Sequence, residues 1–93
     1  MIRSFRDAAT RTVFEGTYVH GFGPEIQRRA RRKLLMIDAA RDDEDLRVPP
    51  GNRLEKLSGD RDGQYSVRVN DQYRICFSWS DGSAENVALV DYH

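Results

Sequence analysis

Two arginines and one tripeptide carry the chemistry that this sequence could do. Arg68 and Arg74 flank an Asn70-Asp71 turn, and the sequence finishes on Asp91-Tyr92-His93. A guanidinium can fork onto two phosphate oxygens. An imidazole and a phenol can carry protons, and a carboxylate can orient an imidazole. These are groups for phosphodiester chemistry. For such chemistry the arginines would neutralise charge on phosphorus while the other groups move and orient protons. The plain reading of the same residues is that the arginines pair with Asp or Glu and are solvated. On that reading His93 is a frayed terminus and Tyr92 an edge aromatic.

The parity of the surrounding residues decides where the arginines point. Tyr65, Val67 and Val69 alternate with Ser66 and Arg68, and Tyr73, Ile75, Phe77 and Trp79 alternate with Arg74, Cys76 and Ser78. Successive strand residues face opposite ways, so an aromatic and aliphatic face packed on helices leaves Arg68 and Arg74 together on the other, exposed side. Asp81-Gly82 is a two-residue hairpin signal. The last strand, Asn86 to about Asp91, is apolar on both faces, which suits a central position beside an N-terminal strand at Met1–Phe5.

Two helices precede these strands. Asp7 is an N-cap for a short helix through Ala8, Val13 and Phe14, which Gly16 stops. Pro24 opens a second helix that runs to about Ala40, with Ile26, Ala30, Leu34 and Ile37 on one stripe. Its outer side carries Arg28, Arg31 and Arg32, with Arg29 and Lys33 on the flank. Pro49-Pro50-Gly51 then makes a shaped loop. The order β-α-α-β-β-β predicts an α+β domain over residues 1–93, with a small, mainly antiparallel sheet and both helices on one face.

Composition sets limits around that reading. Ninety-three residues make one domain, and 39% hydrophobic with 32% charged residues suits a folded, soluble chain. No apolar run approaches the ~20 residues of a membrane span, and the first residues lack a signal-peptide core. A single cysteine, Cys76, and two histidines exclude an internal disulfide and a Cys/His zinc site. The expected location is the cytoplasm. Fifteen cations balance fifteen anions, but unevenly. Residues 1–33 hold eight positive and three negative charges, a net +5, while residues 34–62 hold five and eight, a net −3. A neutral total therefore hides a basic segment suited to a polyanion.

The segment from Pro49-Pro50-Gly51-Asn52-Arg53-Leu54-Glu55-Lys56 through Asn70-Asp71-Gln72-Tyr73-Arg74-Ile75-Cys76-Phe77 resembles HigB toxins of the RelE/ParE toxin–antitoxin superfamily. So do Met1-Ile2-Arg3-Ser4-Phe5 and Val90-Asp91-Tyr92-His93, and Pro-Pro-Gly-Asn-Arg-Leu is shared with the GraT-like branch. The resemblance covers the whole chain and implies a RelE-like fold. It also implies a ribosome-dependent endoribonuclease that cuts mRNA without a cofactor. The partners it implies are the 70S ribosome, the message and a HigA-like helix-turn-helix antitoxin, with operator DNA reached only through that antitoxin and no membrane.

By position, the resemblance assigns Arg74, Asp91, Tyr92 and His93 to catalysis. Arg68, Arg53, Lys56, Glu55 and Arg61 would hold RNA, and Arg28, Arg31, Arg32 and Lys33 would face the ribosome. Glu55 and Ser58 stand where other members carry histidine and lysine. Two alternatives share the scaffold: a weakly active or non-catalytic module that binds antitoxin and shapes operator regulation, and a ParE-like gyrase inhibitor.

Overall fold

The computed structural model describes residues 1–91, apart from the side chain of Arg61. Helix α1 (Ala8–Phe14) starts where the Asp7 carboxylate accepts from the Thr10 amide at 2.7 Å, and it ends at Glu15 with Gly16 in the left-handed region. Helix α2 (Pro24–Ala39) has proline in its first turn and buries Ala30, Leu34 and Ile37 completely. The α1–α2 loop is closed by Gln27, whose carboxamide accepts from Val19 N at 2.9 Å and donates to the carbonyls of Val19 and Phe22.

Four antiparallel strands follow in spatial order: β1 (Glu55–Lys56), β2 (Gln64–Arg68), β3 (Tyr73–Ser80) and β4 (Ser83–Asp91). Val67, Ile75, Phe77, Val87 and Leu89 meet α1 and α2 in one core, with Tyr65, Tyr73 and Trp79 packed at its margin. This is the face that the alternation selected, and both helices lie on it. The α+β architecture read from the sequence is the one observed.

Three differences matter. Met1–Phe5 is not a continuous strand; it touches β4 through two isolated parallel bridges, Ile2 to Ala84 and Phe5 to Val87. The ladder breaks between the two bridges, where β4 bulges and the left-handed Asn86 turns its N–H onto Ser4 Oγ at 2.9 Å. Those bridges still cover β4, so it lies between β3 and the N-terminal segment, as its two apolar faces require. Secondly, short 3-10 turns at Asp43–Arg47, Pro50–Asn52 and Gly59–Arg61, and the two-residue strand β1, shape the region read as loop. Thirdly, the far face of the sheet is partly covered. Ser66, Cys76 and Ala88, which form one row across it, are all buried.

Candidate functional site

Arg68 and Arg74 are register partners across β2 and β3, so both project from the face opposite the helices. Like charges placed directly opposite repel. The fold relieves this by giving each its own carboxylate: Arg68 pairs with Asp71 of the turn, and Arg74 Nη1 lies 3.7 Å from Glu55 Oε1. The sequence reading expects both guanidiniums to project into solvent. Arg74 is instead only 8% exposed.

Its burial is sustained by a polar bracket. Arg74 Nε donates to Ser66 Oγ at 2.8 Å, and Nη2 donates to the carbonyls of Arg53 at 2.6 Å and Ser66 at 3.3 Å. A buried cation is tolerable only when its donors are satisfied, and this bracket satisfies those of Nε and Nη2 and holds the plane of the guanidinium fixed. Glu55 reaches it because Glu55 is the register partner of Ser66 on β1.

The Arg53 carbonyl is available because of the Pro-Pro-Gly-Asn-Arg loop. Arg53 adopts φ 44°, a left-handed conformation that ends the Pro50–Asn52 turn. Asn52, 1% exposed, fixes that turn from below. Its Nδ2 donates to the Leu46 carbonyl at 3.1 Å, and its Oδ1 accepts from Lys33 Nζ at 2.6 Å. Burial, then the guanidiniums of Arg32, Arg29 and Arg68, hold the Lys33 ammonium below the usual lysine range. Lys33 thus faces inward from α2 towards the loop, whereas Arg28, Arg31 and Arg32 are exposed. Arg31 is also tied down, with Nε donating to the Phe14 carbonyl at 3.1 Å.

The remaining sequence-selected residues are spread around this centre. Asp91 is the register partner of Tyr73, on the opposite face from Arg74, and its Oδ2 accepts from Gln72 Nε2 at 3.0 Å. Lys56 partners Tyr65 and is exposed, as is the side chain of Arg53. Tyr92, His93 and the side chain of Arg61 lie outside the described residues. Cys76 is buried, one strand pair along from Arg74 on the same face.

Sequence reasoning did not select Ser66, Asn52 or the Arg53 carbonyl. The parity of Ser66 with Arg68 was a usable signal. The burial of Asn52 had none, because it arises from three segments far apart in the chain.

Residues 3–93 match the model of a HigB-like toxin family, described as the RelE-like toxin of type II toxin–antitoxin system HigB. The chain is 43% identical over 90 residues to Toxin HigB-1 of Vibrio cholerae, covering 96% of this chain and 95% of that protein. It is 31% identical over 93 residues to Endoribonuclease HigB of Proteus vulgaris, covering all of both. Among solved structures, a YoeB–YefM complex from Staphylococcus aureus superposes with a TM-score of 0.65 at 18% identity, covering 100% of this chain and 98% of that one. The YoeB dimer from the same organism gives 0.61 at 19%, covering 99% and 97%, and both likenesses concern the fold alone. With its two helices on one side of the sheet and the bracketed Arg74 on the other, the chain belongs to the HigB-like family of RelE-like toxins of type II toxin–antitoxin systems.

Proposed function

We propose that this toxin is an endoribonuclease that cuts mRNA on the ribosome and is neutralised by a HigA-like antitoxin. The observation that carries the reading is Arg74. Its guanidinium is held by Ser66 and Arg53 on the face away from the helices, with a second arginine, Arg68, directly opposite. A preorganised cation of this kind gains its largest effect where charge develops on a reacting phosphate. The name of the Proteus vulgaris relative supports RNA as the substrate.

In the proposed reaction the RNA 2′-oxygen attacks the adjacent phosphorus and gives up its proton. The bond to the 5′-oxygen breaks, and that oxygen gains a proton. The products are a 2′,3′-cyclic phosphate and a 5′-hydroxyl. Arg74 neutralises the phosphate in the transition state, helped by Arg68. His93 and Tyr92 are assigned proton transfer and alignment, each worth typically 10²–10⁴-fold. Asp91, which accepts from Gln72, is assigned to orient the imidazole or the end of the last strand.

Programmed ribosomes incubated with wild type, Arg74→Ala and His93→Ala test the reading. Cuts in the wild-type lane carrying cyclic phosphate ends, absent with both variants, are the expected result. Intact message in every lane would overturn it. One observation favours a second reading, a toxin-fold module with weak or no cutting. The Glu55 carboxylate faces Arg74 at 3.7 Å, where it competes with a phosphate for the same cation.

A further inference from the structure

We propose that the sheet face carrying Arg74 also holds a nucleobase subsite, a cleft of about 330 Å³ lined by Arg6, Asp60, Gln64, Cys76 and Asn86. This rests on the endoribonuclease reading and names where that substrate's neighbouring base would sit. Three observations converge on the cleft.

The first is position. Gln64 and Cys76 share parity with Ser66 and Arg74 on their strands, so the cleft continues the face of the bracketed arginine. Two residues along a strand span roughly 7 Å. A base flanking a phosphate at Arg74 is therefore within reach of Cys76, the buried floor.

The second is a built-in irregularity at Asn86. Cys76 pairs with Ala88 but Ser78 pairs with Glu85, so Asn86 and Val87 together oppose Phe77 in a bulge. Asn86 takes φ 54°, a left-handed conformation rare inside a strand. Ser4 holds it there: its Oγ accepts from Asn86 N at 2.9 Å and its carbonyl accepts from Val87 N at 3.1 Å. Bulges of this kind re-aim side chains beside functional sites. Here Val87 stays in the core while Asn86 walls the cleft.

The third is chemistry. Two carboxamides offer the donor–acceptor pairs that read base edges, Asp60 adds an acceptor, and Arg6 adds a cation for a phosphate. A carboxylate accepts two adjacent N–H donors at once, and guanine alone presents such a pair, N1–H beside the 2-amino group, so Asp60 makes the subsite favour guanine.

The test uses the full chain in two measurements. Isotope-labelled protein is titrated with each of the four nucleoside 5′-monophosphates, following the amides of Gln64, Cys76 and Asn86. Cut sites are then mapped for wild type, Gln64→Ala, Asp60→Asn and Asn86→Gly, the glycine keeping the left-handed backbone. We expect larger shifts at the cleft with the guanosine nucleotide than with the other three. Asp60→Asn should relax the preference for guanosine beside the cut by roughly tenfold, the worth of one good base contact. Cutting by wild type with a base preference that none of the three variants alters would overturn the cleft and leave the endoribonuclease standing. Nucleotide shifts at the cleft in a protein that cuts nothing would support the cleft and sink the endoribonuclease. Amides unmoved by all four nucleotides would overturn the cleft outright.

Discussion

The carbonyl of Arg53 accepts a hydrogen bond from Arg74 Nη2 at 2.6 Å, joining residues 21 positions apart. The contact links the loop after α2 to the centre of the sheet, and it depends on the left-handed backbone of Arg53. Lysine at position 74 cannot reproduce it together with the Ser66 contacts, since an ammonium lacks the planar spread of donors. Arg74→Lys is therefore expected to lower cutting by about 10²–10³-fold, the usual cost of removing one preorganised charge contact. A ribosome cleavage assay checks it. A lysine variant that cuts at the wild-type rate would show that position 74 supplies charge without geometry.

Asn52→Ala tests the support beneath that contact. The substitution leaves the Lys33 ammonium and the Leu46 carbonyl without their partner in a buried place. Stability should fall by about 1–3 kcal/mol, read from denaturant unfolding. Cutting measured well below the new midpoint should fall as well, because the turn carrying Arg53 loses its tether. A variant as stable as wild type would mean that water replaces the amide at no cost.

Much of this architecture was legible in advance because its signals are local. The alternation from Tyr65 to Trp79 named the core face, Asp7 and Gly16 bounded α1, and Pro24 opened α2. The polar bracket was not legible. Whether Arg74 lies in solvent or under cover depends on Glu55, Arg53 and Ser66 arriving from separate segments. Parity gives the side of the sheet to which a residue points, but not what the chain later lays over it. The inward turn of Lys33 was hidden for the same reason: on a helical wheel it sits with the basic flank, and only the Asn52 loop draws it in.

Glu55→Gln separates the two functional readings. Glu55 is half exposed, so its ion pair with Arg74 is screened and worth under about 1 kcal/mol to the fold. Stability should barely change. If the carboxylate only competes with the message for Arg74, cutting should rise in the glutamine variant. A fall in cutting would instead place the Glu55 carboxylate among the groups that the reaction uses.

The pH dependence of stability carries the signature of Lys33. Its pKa is lowered chiefly by burial, so the folded chain gives up this proton at lower pH than the unfolded chain does. Between the folded value and the ordinary value of 10.5 the unfolded state binds more protons, and stability rises with pH across that window. The neutral amine still donates to Asn52, so the contact survives. Lys33→Arg keeps its charge throughout and should flatten the rise, measured by denaturant unfolding at stepped alkaline pH. Parallel curves for the two proteins would remove Lys33 as the cause.

The outer face of α2 offers the last test, and the structure refines which residues to change. Arg31 bonds the Phe14 carbonyl and packs over Gly16, so replacing it would disturb the α1–α2 junction as well as the surface charge. Arg28 and Arg32 are exposed and free of that complication. The double variant Arg28→Glu, Arg32→Glu should keep wild-type stability, since exposed substitutions rarely cost more than about 0.5 kcal/mol. If this face grips ribosomal RNA, the variant should no longer pellet with ribosomes, and wild-type pelleting should weaken steeply as salt is raised. Ribosome binding that survives both the charge reversal and the salt would assign the basic face elsewhere. Loss of antitoxin co-purification in the same variant would then identify it as the surface that the antitoxin covers.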